Sequence, residues 1–353
     1  MFDPATLIEP IVQAPLAGGP STPELAIAVC EAGGLGFVAA GYKTLDALRE
    51  QIESAQARTE RPFGVNVFVP SPEAADPAAL RPYLARLEHE ADRHGAEVGE
   101  PRFDDDRYDG KLELVCDARP AVVSFTFGCP PPAVFERLHD LDIAAWVTIT
   151  SAAEASTAQA AGADALIVQG TEAGGHRGAF VDDEDAAGIG LLALLQLVRR
   201  TSPLPLIASG GIATGAAVAA VLCAGATAAQ IGTALMLTPE AGTEQAQREL
   251  FNQPIPTRLT RAFSGRLARG MVNRFMTDHD EAAPIAYPEI HHATSPLRAA
   301  ARKRGDADGF NLWAGQAHEL AQARPAAEIV RELGADARRT IHEVAQRLDL
   351  AGR

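Results

Sequence analysis

The chain has 353 residues, of which 47% are hydrophobic but only 5% aromatic, so its core must be built mainly from Ala, Val, Leu and Ile. Its formal net charge of −15 argues against a nucleic-acid partner, because binding to the phosphate backbone requires clustered Lys and Arg. This length permits two domains or one α/β barrel with additional segments.

The N-terminal stretch MFDPATLIEP lacks a basic region followed by an apolar run, and no run of about 20 apolar residues is free of polar breaks. We therefore expect neither a signal peptide nor a membrane span. The four cysteines show no C-x-x-C or zinc spacing, which predicts no metal site and favours a reducing cytoplasm. No pattern in the sequence indicates the oligomeric state.

Short apolar runs alternate with helical patterns from the N-terminus onwards. Strands are predicted over residues 11–17, 35–40 and 63–69, with helices over 23–33 and 45–58 between them. Ser21 or Thr22 is the expected cap of the first helix, and Pro23 lies in its first turn. The alternation breaks over residues 70–120, where a helical pattern at 78–95 is followed by a polar stretch at 97–111 that predicts a loop. The run Asp104-Asp105-Asp106 in that loop is expected to be solvated.

The alternation resumes at residue 121. Strands are predicted over 121–127, 144–150, 163–170, 204–209 and 226–231, and helices over 130–141, 152–161 after Ser151, 187–200, and 214–224 from Thr214. Eight apolar strands in this order predict a (β/α)₈ barrel over residues 1–253, with an insertion at about 70–120 after the third strand. A doubly wound open sheet is the alternative, but no G-x-G-x-x-G follows the first strand.

Residues 254–353 lie beyond the last predicted strand. They comprise a basic, glycine-containing stretch at 262–275 and a helix-rich tail from residue 295. We expect them to form a helical extension that caps one mouth of the barrel or packs on its side, and not an independent domain.

Polar residues and glycines collect at the predicted carboxyl ends of the strands, where barrel active sites lie. Asn66 lies on strand three and Gln169 ends strand six, followed by Gly174, Gly175 and His176. Paired glycines let the backbone approach a ligand closely. A histidine beside them can act as acid, base or hydrogen-bond donor. A surface loop with a solvated histidine is the alternative.

The pairs Gly210-Gly211 and Gly232-Thr233 end strands seven and eight, whose loops commonly bind phosphate in this fold. Backbone N–H groups and the Thr233 hydroxyl can enclose a phosphate dianion, with a helix N-terminus behind them. The alternative is that these glycines only turn the chain out of the barrel.

Seven segments together resemble the nitronate monooxygenases, formerly called 2-nitropropane dioxygenases, which are FMN-dependent barrels. They are QAPLAGG (13–19), GVNVFVP (64–70), SFTFG (124–128), QGTEAGGHRG (169–178), ASGGI (208–212), QIGTA (230–234) and LWAGQ (312–316). The resemblance implies that His176 is the catalytic histidine. The positions that match FMN contacts are Asn66, Gln169, Gly174, Gly211, Gln230, Ile231, Gly232 and Thr233, and we add the adjacent Gly175 and Gly210 to the predicted cofactor site.

Thr126 departs from the family pattern, because family members often carry a histidine at this position within S-F-x-F-G. The pocket that the resemblance implies therefore lacks a second imidazole, which affects how an anionic nitronate is held. Tyr287, His291 and His292 either lie over the pocket or belong to a polar loop.

The resemblance implies FMN-dependent oxidation of small alkyl nitronates by dioxygen to a carbonyl compound and nitrite. His176 would orient the nitro group or remove the α-proton of a neutral nitroalkane. Two other functions are compatible with the same patterns. One is a flavin-dependent NAD(P)H reductase of the enoyl-acyl-carrier-protein reductase or NADH:quinone reductase type, and the other is a non-catalytic flavin- or phosphate-binding barrel.

Overall fold

The computed structural model describes residues 1–71, 74–183 and 188–351, and this part of the chain contains a sheet of eight parallel strands. The strands of the sheet are β1 (Ile11–Gln13), β2 (Phe37–Ala39), β3 (Gly64–Phe68), β4 (Val122–Thr126), β5 (Ala144–Ile149), β6 (Ala165–Gln169), β8 (Leu206–Ser209) and β9 (Ala228–Ile231). Their order is β1-β9-β8-β6-β5-β4-β3-β2. A parallel bridge between Val12 of β1 and Leu35, which lies just before β2, joins the two ends of this order. The sheet therefore closes, which confirms the predicted barrel.

Three short strands lie outside the barrel and form a separate antiparallel sheet in the order β10-β11-β7. They are β7 (Gly175–His176), β10 (Thr257–Thr260) and β11 (Ala268–Met271). The pairing of β7 with β11 places His176 opposite Ala268. This sheet therefore joins the loop after β6 to the C-terminal part of the chain.

The helices surround the barrel and cover its carboxyl-terminal mouth. They are α1 (Pro23–Glu31), α2 (Leu45–Arg58), α3 (Pro77–His94), α4 (Tyr108–Ala118), α5 (Pro132–Asp140), α6 (Ala152–Ala161), α7 (Leu191–Arg199), α8 (Gly215–Cys223), α9 (Gln245–Arg248), α10 (Arg274–His279), α11 (Glu289–Lys303) and α12 (Ala326–Ala351). Thr22, Ser151 and Thr214 cap their helices through side-chain oxygens. No helix among the described residues has the length and apolar character needed to cross a membrane.

Two segments differ from the sequence-based expectations. The loop predicted over residues 97–111 is wrong for its last four residues, because α4 begins at Tyr108 and packs against β3 and α2 as a barrel helix. The buried Leu112 and Val115 form the apolar face of α4, and the charged residues around them interrupt the helical pattern in the sequence. Asp106 is also not solvated: its Oδ1 lies 2.6 Å from Nζ of the fully buried Lys111. The helix predicted from residue 187 begins at Leu191, and residue 187 itself lies outside the described residues.

The helix that completes the ring around the barrel comes from the end of the chain. Between β9 and β10, the chain forms a short 3₁₀ turn and the four-residue α9, neither of which is long enough to be a barrel helix. The place between α8 and α1 is taken by α12, which packs against both helices. Its buried face includes Ile329, Val330, Leu333 and Ala337.

A second apolar core lies between α3 of the insertion and the C-terminal residues. Leu80, Tyr83 and Leu87 pack there with side chains that include Phe263, Phe275, Ile290 and Leu297. A bidentate ion pair adds to the contact, since both carboxylate oxygens of Glu90 lie 2.7 Å from the Arg274 guanidinium. Insertion and extension therefore form one unit, and α11 in this unit faces the barrel mouth.

Candidate active site

A cavity of about 350 Å³ lies at the carboxyl ends of the barrel strands. Ten of the eleven predicted site residues line it: Asn66, Gln169, Gly174, Gly175, His176, Gly210, Gly211, Gln230, Gly232 and Thr233. Ile231 does not line it, because side chains alternate along a strand and Ile231 packs outward into the apolar core. The barrel ends form the floor of the cavity, while α11 and residues 311–315 form its opposite wall.

His176 is fixed by its neighbours on both sides of β7. Its Nε2 lies 2.8 Å from Oγ of Ser264, and its main-chain oxygen accepts a hydrogen bond of 3.0 Å from Nε2 of Gln169. The ring lies 5.4 Å from that of Trp313 and 5.7 Å from that of Phe127, measured between ring centroids. These contacts hold the imidazole at the cavity wall in one orientation.

The environment of His176 keeps its imidazole neutral. Burial, together with the positive charges of Arg266 and Arg298, lowers the pKa of His176 to about 3. Ser264 has one hydroxyl proton, which its Oγ donates to the main-chain oxygen of Arg266 at 3.1 Å. Nε2 of His176 and Oγ of Ser264 share one hydrogen bond, and Nδ1 has no hydrogen-bond partner among the described residues.

Gln169, predicted as a cofactor contact, also forms hydrogen bonds within the loop that carries His176. Its Oε1 accepts a hydrogen bond of 2.8 Å from the N–H of Gly178, while its Nε2 donates to His176. Each polar group of the amide therefore makes one hydrogen bond within the loop and keeps the capacity for a second. Gln169 lines the cavity, but its hydrogen bonds position the backbone of His176.

Two other amide side chains do have free polar atoms. Nδ2 of Asn66 donates to Ser124 and Thr126, whereas Oδ1 of Asn66 is buried and finds no donor in the part of the chain that the structure describes. Nε2 of Gln230 is likewise buried without a partner among the described residues. A buried polar group without a partner is costly, so one acceptor and one donor remain for a ligand in this cavity.

The two glycine-containing turns at the ends of β8 and β9 offer backbone donors. Gly210 and Gly211 have φ values of +121° and +68°, a region that side-chain-bearing residues rarely adopt. In the described part of the chain, nothing accepts a hydrogen bond from the backbone N–H groups of Gly211, Ile212, Thr233 and Ala234. Free backbone N–H groups at the ends of two neighbouring strands suit an anion such as phosphate.

Gly174 is required because the chain passes very close to residues 314 and 315. A Cβ added at Gly174 would lie 2.4 Å from the backbone N of Gly315. The same N–H donates a hydrogen bond of 3.0 Å to Oγ1 of Thr233. Gly174 therefore allows the C-terminal segment to contact the turn after β9. At Gly175, with φ +74°, an added Cβ would meet nothing within 4 Å.

Of the residues whose placement the sequence left open, His291 lines the cavity and His292 does not. The His291 ring stacks on that of Tyr42 at 4.2 Å, whereas His292 lies near the carboxylate of Asp104 outside the cavity. The centroid of the Tyr287 ring lies 5.8 Å from that of the His176 ring. Thr126 lines the cavity and accepts a hydrogen bond from Asn66. No group of three or more potential metal ligands occurs among the described residues.

Sequence reasoning missed the residues that the extension and β2 bring to the cavity. They are Tyr42, Ser264, Arg298, Arg302, Asn311 and Trp313. Arg298 and Arg302 are spaced by four residues, so they share one face of α11. The spacing in the sequence indicates that the two arginines lie on one face of a helix. Only the packed structure shows that this face of α11 points toward the barrel mouth.

Comparison with known proteins agrees with this geometry. The chain is 42% identical over 338 residues to a nitronate monooxygenase of Pseudomonas aeruginosa, covering 92% of this chain and 95% of that one. It is 39% identical over 349 residues to a nitronate monooxygenase of Paraburkholderia phytofirmans, covering 96% and 94%. Its fold superposes on a nitroalkane oxidase from Streptomyces ansochromogenes with a TM-score of 0.94 at 49% identity, covering 97% and 99% of the two chains. Residues 3–336 match the nitronate monooxygenase family, so the chain belongs to this family of flavoprotein oxidoreductases.

Proposed function

We propose that the chain catalyses the FMN-dependent oxidation of alkyl nitronates by dioxygen to a carbonyl compound and nitrite. One observation carries the proposal: the neutral His176 and the four free N–H groups of the two glycine-containing turns belong to one cavity. Membership of the family supports the oxidation of nitronates or nitroalkanes. The residues of the cavity bear on the choice of cofactor and on the form of the substrate.

The free polar groups fit one FMN molecule. The N–H groups of Gly211, Ile212, Thr233 and Ala234 would hold its phosphate. Oδ1 of Asn66 would accept a hydrogen bond from the polar edge of its ring, and Nε2 of Gln230 would donate one to that edge. Bound FMN would supply the electron transfer between substrate and dioxygen. The chain lacks a G-x-G-x-x-G element for an adenylate half, which favours FMN over FAD.

The state of His176 favours preformed nitronates over neutral nitroalkanes. An imidazole whose pKa is lowered to about 3 is a weak base, so it is poorly suited to removing an α-proton near neutral pH. A nitronate has already lost that proton. His176 would therefore orient the substrate, and the hydrogen bond with Ser264 would fix the ring for that task.

The proposal is tested by product analysis. Purified protein reconstituted with FMN is given an alkyl nitronate, and oxygen uptake, nitrite and carbonyl compound are measured together. We expect nitrite and carbonyl in equal amounts, with no oxygen uptake when NADH or NADPH replaces the nitronate. Oxygen uptake or flavin reduction by NAD(P)H alone would support the reductase instead, and no turnover with either donor would support a binding protein.

We also propose that the protein works in a reducing compartment such as the cytoplasm. Cys30, Cys116, Cys129 and Cys223 are all free thiols in the structure. Free thiols persist where glutathione and thioredoxin keep them reduced.

A further inference from the structure

Two arginines on α11 face the cavity without a carboxylate partner. Arg298 is 6% exposed and Arg302 is partly buried, and both line the cavity. Within the described residues, no carboxylate oxygen lies within 4.0 Å of either guanidinium. Glu244, also on the cavity wall, is the acidic group whose charge acts on Arg302. Burying charge without a partner is unfavourable, so this arrangement calls for an anion.

The guanidinium groups retain unused donors. Arg298 donates from Nε to Thr294 and from its terminal nitrogens to Asn311 and His291. Arg302 makes one hydrogen bond, of 2.7 Å, to Oδ1 of Asn311. A guanidinium has five N–H groups, so four of those of Arg302 have no hydrogen-bond acceptor among the described residues. By contrast, the buried Arg177 and Arg266 donate to main-chain carbonyls and do not line the cavity.

Asn311 holds the two like charges side by side. Its single Oδ1 accepts from Arg298 at 3.1 Å and from Arg302 at 2.7 Å. Burial, together with the charge of Arg302, lowers the pKa of Arg298 to about 9. An anion beside the two guanidinium groups would offset the cost of burial and the repulsion between the like charges, because it compensates the charges and accepts hydrogen bonds from the free N–H groups.

We infer that Arg298 and Arg302 form the oxyanion-binding part of the substrate site and hold the negatively charged nitro group of the nitronate. The inference rests on the proposed function. His176 is neutral, so it cannot compensate the substrate charge. Thr126 provides no imidazole either. The planar pair of oxygens in a nitronate has the geometry of a carboxylate, which guanidinium groups bind by paired hydrogen bonds.

Acetate tests this inference, because it is a planar oxyanion that the enzyme cannot oxidise. It is titrated into wild type and Arg302→Gln while tryptophan fluorescence is followed, since Trp313 lines the cavity and Trp146 is the only other tryptophan in the sequence. This readout does not need bound flavin. The Kd for acetate and the KM for a nitronate should both rise about tenfold to a hundredfold, as expected for a lost charged hydrogen bond. Arg302→Lys should restore part of the loss.

Arg339→Gln is the matched control, because it removes a charge from an exposed position on α12 and should leave both constants unchanged. Arg298→Gln is the second variant and should act in the same direction as Arg302→Gln. Unchanged acetate Kd and nitronate KM in both α11 variants would overturn the inference. Loss of FMN from Arg302→Gln would also overturn it, since the guanidinium would then hold the cofactor phosphate. A wild type that binds acetate but oxidises no nitronate would contradict only the proposed function.

Discussion

Nε2 of His176 and Oγ of Ser264 lie 2.8 Å apart, although 88 residues separate them in the sequence. The pairing of β7 with β11 makes this contact, because Ser264 lies shortly before β11 and His176 ends β7. Ser264 also donates to the main-chain oxygen of Arg266, which fixes the position of its hydroxyl group. The C-terminal extension therefore sets the orientation of the histidine in the barrel loop.

Replacing Ser264 by Ala should lower kcat for nitronate oxidation by about tenfold, which corresponds to the loss of one hydrogen bond. FMN content should be unchanged, because Ser264 contacts the histidine and not the glycine-containing turns. Steady-state oxygen uptake at equal flavin content measures the effect. Ser156→Ala, which removes an exposed hydroxyl on α6, is the control. A kcat within twofold of wild type would show that the contact does not position the imidazole.

Replacing His176 by Asn should reduce the oxidation of nitronates and of the parent nitroalkanes by similar factors. An orienting histidine serves both substrates, whereas a base contributes on the order of 10²–10⁴ only where a proton must be removed. Initial rates with both substrate forms at matched FMN content give the comparison. A selective loss of nitroalkane oxidation would assign the role of general base to His176.

His176 should also make the folded protein sensitive to acid. Its pKa is lowered from 6.5 to about 3 in the folded state, so the unfolded chain binds more protons between these pH values. The free energy of unfolding therefore falls as the pH is lowered through this window. His176→Asn should lose this contribution and show a slope smaller by up to about 1 kcal/mol per pH unit. Urea unfolding at pH 7, 6, 5 and 4 provides the measurement, and parallel curves for the two proteins would refute the pKa assignment.

Gly211→Asp should prevent FMN binding, whereas Gly211→Asn should retain much more of it. Both side chains are tolerated about equally at φ +68°, and both meet the same neighbour, Cβ of Glu172 at 3.0 Å from an added Cβ. They differ in charge, and a carboxylate beside the phosphate is strongly repelled in a poorly solvated site. Flavin content after reconstitution is the readout. Equal retention in the two variants would place the phosphate elsewhere.

The barrel was predictable because its signals are local. Short apolar runs gave the strands, and the oxygens of Thr22, Ser151 and Thr214 marked the starts of three helices. Strand alternation also accounts for Ile231: once Gln230 faces the cavity, its neighbour must face the helices. Tyr108 was assigned to a loop because charged residues and a glycine interrupt the apolar pattern of α4.

The far wall of the cavity was not predictable in the same way. The pairing of β7 with β11 and the packing of α11 against α3 depend on contacts between distant parts of the chain, and no local pattern encodes them. The hydrogen bonds of Gln169 to His176 and Gly178 were hidden for the same reason, since they form only when the loop after β6 folds back onto that strand. The site thus combines a predictable barrel floor with a wall that only tertiary structure reveals.

The most direct test of the central claim is the absorption spectrum of FMN-loaded protein before and after anaerobic addition of an alkyl nitronate. We predict that the flavin absorbance near the visible maximum decreases on addition of the nitronate and returns when dioxygen is admitted, with nitrite released. The same addition to Gly211→Asp, which should hold no FMN, serves as the blank. A flavin spectrum that the nitronate leaves unchanged, in protein carrying its full complement of FMN, would contradict the account.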